Sequence, residues 1–138
     1  SSDVCSSDLQ KPWHFVVLRD RQVITRIPEF HPYSAVFLKC TLAIALFANP
    51  EEELFPGNWP LDCAAATENI LLQAEALHLG AVWLGIYPEE ERMQNLEALL
   101  EVPRNYRAFS VVAVGHPAEK PRFPERIFDS SRIHYDRW

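Results

Sequence analysis

Apolar residues fall in blocks along this chain, and the longest runs through residues 62–88, DCAAATENILLQAEALHLGAVWLGIYP. Its first part has helical spacing. Ala66, Ile70, Ala74 and Leu77 share one stripe, and Leu72, Ala76 and Leu79 share another, with charges only at Asp62, Glu68 and Glu75. A helix apolar over most of its circumference is predicted to be central and buried. Gly80 suits the left-handed residue that ends such a helix, and AVWLGIY after it is predicted to be a strand. Ala81 and Gly85 are small enough to let a flat group approach the backbone.

The flanking pattern alternates strands and helices. Residues 14–19, HFVVLR, form a β-rich run. Asp20 is placed to cap a helix over residues 21–27, which Pro28 and Pro32 interrupt. A second short helix is predicted over residues 33–39. Residues 41–47, TLAIALF, suit a strand covered on both faces. Residues 49–60, with three prolines, a glycine and EEE, are expected to be a surface loop. Glu89, Glu90 and Glu91 favour the start of another helix through its dipole. Met93, Leu96, Leu99 and Leu100 give its buried stripe, and Pro103 ends it. Residues 108–114, AFSVVAV, form the last strong strand. Beyond Gly115, Pro117, Pro121 and Pro124 hold the chain extended. This order predicts a layered α/β or α+β fold.

Composition narrows the function classes. At 138 residues the chain is one domain's worth, and its 48% hydrophobic and 23% charged content is ordinary for a globular protein. A net charge of −6 argues against nucleic-acid binding. No apolar run reaches the roughly 18 residues that a membrane-spanning helix needs. Cys5, Cys40 and Cys63 show no metal or redox spacing, so they are read as isolated thiols in a reducing cytoplasm. His14, His31, His78, His116 and His134 share no ligand spacing, and no metal site is expected. There is no G-x-S-x-G elbow, and four glycines make no phosphate loop. The acidic runs at residues 51–53 and 89–91 are read as solvated charge.

The N-terminal SSDVCSSDL is no signal peptide. It resembles translated sequencing-adapter read-through, so residues 1–9 are expected to be non-native. The domain is then residues 10–138.

The segment HLGAVWLG, residues 78–85, resembles the stretch that follows the central helix and lies beside the flavin ring in the FMN-dependent nitroreductase family. Three further segments agree in order: PWHFVVLRDR at 12–21, VVAVGHPAEKPR at 111–122 and ERIFDSSRIHYDRW at 125–138. The resemblance spans residues 10–138 and lacks the family's N-terminal helices, so the chain is expected to be a fragment. It implies an α+β fold, a three-layer α/β/α sandwich around a central mixed sheet, with an extended C-terminal arm. It implies FMN as cofactor and NAD(P)H as co-substrate, with hydride passed to an electron-poor acceptor such as a nitroaromatic or a quinone. A flavoenzyme of this kind needs little side-chain acid–base chemistry, which suits a chain with no triad or metal cluster.

The same resemblance implies the site. Backbone groups of Leu84 and Gly85 would contact the flavin ring, and Trp83 would pack beneath it. Lys120, Arg122 and Arg126 would meet the phosphate, Arg126 first. Gln10 would reach the flavin, although Lys11 separates it from the Pro-Trp pair it usually precedes. No catalytic side chain is singled out. An intertwined homodimer is also implied, with Phe123, Phe128, Tyr135 and Trp138 as interface anchors. Two alternatives stay open: a non-catalytic flavin-binding protein, and a related reductive dehalogenase or flavin-destroying enzyme.

Overall fold

Four strands carry the architecture: β1 (Trp13–Leu18), β2 (Leu42–Ala48), β3 (Gly80–Gly85) and β4 (Arg107–Gly115). They form one sheet in the order β1-β2-β4-β3. The computed structural model describes residues 11–117 and 128–138. Gln10, Lys120, Arg122, Phe123 and Arg126 lie outside the described residues.

Every neighbouring pair in the sheet is antiparallel. The α+β layering stands, but among the described residues the sheet is wholly antiparallel and not mixed as expected. The reason is the placement of β4. The unit β2–α2–β3, with α2 at Trp59–Ala76, brings β2 and β3 parallel, yet β4 inserts between them and bonds to both. The helix α3 (Glu90–Leu99) joins β3 to an antiparallel neighbour rather than crossing to a parallel one.

Helices cover both faces. On one face α2 packs Cys63 and Ala66 against Leu46, Ala48 and Phe109. On the other, Ile24, Ile27, Phe37, Met93 and Leu96 close over Ala43, Ala45, Phe47, Val111 and Ala113. Each large side chain among these contributes about 1.5–3 kcal/mol by leaving water. Ile24 belongs to the short α1 (Arg21–Ile24), whose N-cap Asp20 accepts from the Gln22 amide. The register shifts between Leu46 and Phe47, and this bulge lets Phe109 join the α2 face beside Ser110.

Local differences from the expected elements have physical causes. The helix α2 begins at Trp59, not after Pro60, because proline is tolerated in a first turn, where its missing N–H is not needed. The left-handed residue after α2 is His78, at φ 56°, while Gly80 already opens β3. Nor is α2 buried all round: Leu61 and Leu72 are exposed. Residues 33–39 give only a 3-10 turn, Ala35–Leu38. Phe128, Tyr135 and Trp138 are exposed, with Trp138 stacked on His134 at 4.3 Å.

Candidate functional site

The site is organised around Gly85, the last residue of edge strand β3. The Ile86 amide donates to the Phe109 carbonyl, which sets the phase of the β3–β4 ladder. Antiparallel bonding alternates along a strand. Leu84, paired with Val111, therefore turns its peptide groups toward β4, while those of Trp83 and Gly85 turn to the outer edge, which no described strand covers. The Leu84 side chain is 5% exposed and sits in the core opposite α2.

Side chains alternate too. Trp83 and Tyr87 stand on either side of Gly85, both packed on Phe109 on the α2 face. Their ring centroids lie 5.8 Å and 6.0 Å from that of Phe109. Trp59, in the first turn of α2, closes edge-on against Tyr87 at 5.0 Å. Between the two rings, Gly85 has no side chain. A Cβ placed there would meet only the Tyr87 carbonyl, at 4.0 Å. Its backbone also avoids positive φ. Among the described residues nothing in the packing requires glycine here, so the bare backbone is available to an incoming flat group.

The Gly85 carbonyl is held from the other side of the sheet. His31 Nε2 lies 3.1 Å from it and Arg92 Nη1 lies 3.4 Å from it. His31 is 4% exposed, and its Nδ1 faces the Tyr33 amide at 3.4 Å. An Nδ1 that accepts and an Nε2 that donates define one neutral tautomer.

Other reactive groups are placed elsewhere. Cys63 is buried, and burial, reinforced by the charges of Asp62 and Glu53, pushes its thiol up to about 12, so it is no nucleophile. Burial also raises Cys40, against the pull of Arg21. Both are free thiols. Among the described residues, no three His, Cys, Asp or Glu side chains gather in a way that could hold a metal, and no helix is long and apolar enough to cross a membrane. Two clefts of about 450 and 550 Å³ flank α3, lined by carboxylates including Glu90, Glu97 and Glu101, and neither includes a β3 residue.

Of the residues expected at the site, Trp83, Leu84 and Gly85 fall together on β3. Tyr87, His31 and Arg92 were not anticipated. Tyr87 was legible, since period-two alternation puts it on the same face as Trp83. His31 lies 54 residues from Gly85 and shares no motif with it.

Comparison with known proteins gives a consistent result. The model described as "Nitroreductase family" matches residues 33–116. A protein of Methanothermobacter thermautotrophicus, provisionally named an NADH dehydrogenase/NAD(P)H nitroreductase, is 43% identical over 129 residues, which are 94% of this chain and 67% of that protein. The crystal structure of a provisionally named NADH oxidase from Clostridium acetobutylicum is 42% identical with a TM-score of 0.87, covering 94% of this chain and 78% of that one. A provisionally named nitroreductase in complex with FMN, from Desulfovibrio desulfuricans, is 26% identical with a TM-score of 0.72, covering 91% and 73%.

Proposed function

This chain belongs to the nitroreductase family, and from that premise we propose that it is an FMN-dependent NAD(P)H oxidoreductase acting on an electron-poor acceptor such as a nitroaromatic or a quinone. The observation that carries the reading is the open backbone at Gly85, flanked by Trp83 and Tyr87 on an otherwise well-packed face. When bound, FMN supplies hydride chemistry between NAD(P)H and the acceptor.

The chain's own residues bind and orient. The Gly85 N–H, on the outer edge of β3, is a donor for the ring's polar rim. Trp83 and Tyr87 wall the ring's place and keep water from it. Leu84 supports from below, anchoring β3 in the opposite core. Lys120, Arg122 and Arg126 pair with the phosphate, Arg126 foremost, and Gln10 reaches the ring. Each charge-assisted contact is worth about 1.5–3 kcal/mol.

We take the working unit to be a homodimer. The exposed Leu61 and Leu72 on α2, with Phe128, Tyr135 and Trp138 near the C-terminus, are apolar groups suited to a second copy. The free thiols of Cys40 and Cys63 fit a reducing, cytoplasmic setting.

The test is a titration of the purified chain with FMN, followed by quenching of flavin fluorescence. NADH and NADPH oxidation is then measured with a nitroaromatic and a quinone. Saturable binding and acceptor-dependent turnover are expected. A folded protein that leaves FMN fluorescence unchanged would sink the reading.

A further inference from the structure

We propose that His31 is a positioning residue for the flavin edge: its Nε2–H engages the Gly85 carbonyl, so that Gly85 offers the ring its N–H and not a free carbonyl lone pair. This rests on the FMN reading given above. The N–H of the Gly85–Ile86 peptide is bonded to the Phe109 carbonyl of β4, so the carbonyl of that peptide points away from β4. With no glycine side chain to shield it, that carbonyl would sit bare beside the ring's place, and two donors engage it. His31 reaches the carbonyl from the segment between the 3-10 turns Ile27–Glu29 and Ala35–Leu38, at 3.1 Å. Arg92 reaches it from α3, at 3.4 Å.

The two are unequal. The Arg92 bond is long and solvent-exposed, and water competes for it. His31 is 4% exposed, and its ring is fixed at both nitrogens, by the Tyr33 amide on Nδ1 and the carbonyl on Nε2. The His31 backbone is anchored as well, since the Ser34 hydroxyl donates to the His31 carbonyl at 2.6 Å. The imidazole is thus preorganised before any ligand arrives. A carbonyl left without a donor would set a lone pair against the acceptor nitrogens and oxygens of a flavin rim. The His31 bond occupies that lone pair.

The experiment compares the unaltered chain with His31→Ala and His31→Gln. A Gln amide nitrogen reaches where Nε2 reaches and can donate to the same carbonyl. FMN affinity, the visible absorption spectrum of the bound flavin and its midpoint potential are read for each, with a thermal melt to confirm the fold. His31→Ala is expected to weaken FMN binding about tenfold and to shift both spectrum and potential. His31→Gln is expected to restore all three toward the parent. Parental affinity and spectrum in a folded His31→Ala protein would overturn the proposal, and so would an equal loss in both variants. Should His31→Ala not fold, ¹⁵N NMR of the unaltered protein decides. An imidazole protonated at Nε2 and slow to exchange supports the proposal, and an Nδ1–H tautomer overturns it. If the unaltered chain binds no FMN, the functional reading itself fails, which is a separate result.

Discussion

Thr67 and Ser110 meet through their hydroxyls, Oγ1 and Oγ 3.0 Å apart and both side chains fully buried. Thr67 already donates to the Cys63 carbonyl at 2.7 Å, so Ser110 is the donor between them. Ser110 is also the register partner of Gly85. One polar contact in an apolar layer therefore seats α2 on β4 directly across from the candidate flavin edge.

That arrangement predicts an asymmetry. Thr67→Val keeps the shape but strands the Ser110 hydroxyl without an acceptor, at a cost of about 1–3 kcal/mol. Ser110→Ala costs less, because Thr67 keeps its bond to Cys63. The double variant T67V/S110A should be more stable than T67V alone, since no orphaned donor remains. Denaturant melts of the three proteins check this. Strictly additive losses would mean that the two hydroxyls are not coupled.

Gly85→Ala separates packing from ligand binding. The added Cβ meets nothing of the chain closer than 4.0 Å, so stability should change by no more than about 0.5 kcal/mol. FMN affinity should fall about tenfold or more, because the methyl occupies the ring's place. A melt and a fluorescence titration on the same sample read both. Unchanged FMN affinity would move the ring away from Gly85.

Most of the elements that carry the candidate site were legible in the sequence, for an identifiable reason. Apolar runs and their periods are local, so the strands around Phe47, Trp83 and Val112 and the helix carrying Ala66 could be read from spacing. Gly85 stood out because it lies within a strand of larger residues. What escaped depends on chain segments meeting in space. The insertion of β4 between β2 and β3 leaves no local trace, so the antiparallel pairing was missed. His31 looks like any lone histidine until the fold brings it to the Gly85 carbonyl. The left-handed turn at His78 escaped because a glycine two residues later offered the more usual solution.

Asp62 makes stability depend on pH. Its Oδ2 is buried without a hydrogen-bond partner among the described residues, as is Oε1 of neighbouring Glu53. Burial first, and the Glu53 charge second, raise its carboxyl above the ordinary value. The positive end of α2 pulls the other way, and burial prevails. A raised carboxyl means that the folded state holds the proton more tightly. Its contribution is therefore most favourable at or below the ordinary carboxylate value of about 3.9 and is lost as pH rises through the raised value. Asp62→Asn should accordingly raise the melting temperature at pH 7, with the gain fading by about pH 4. A gain that persists unchanged in acid would point to packing instead of charge.

Arg107 separates two carboxylates that look alike in sequence. Its Nη2 sits 2.8 Å from both oxygens of Glu90, while its Nε lies 3.4 Å from Glu97 Oε1. By distance alone Glu90 is the stronger partner, but environment reverses the order. The Glu90 side chain is 63% exposed and that of Glu97 is 20% exposed. Glu97 Oε1 also accepts from the amide of Ala108, a fully buried residue, at 2.9 Å. Glu90→Ala should cost less than about 1 kcal/mol and lose its effect in high salt. Glu97→Ala should cost about 1–3 kcal/mol, with little salt dependence, because it leaves a buried N–H unpaired where α3 docks on β4. Denaturant melts at low and high salt distinguish the two. A larger, salt-sensitive loss for Glu90→Ala would show that the exposed ion pair, and not the Ala108 amide bond, fastens α3 to the sheet.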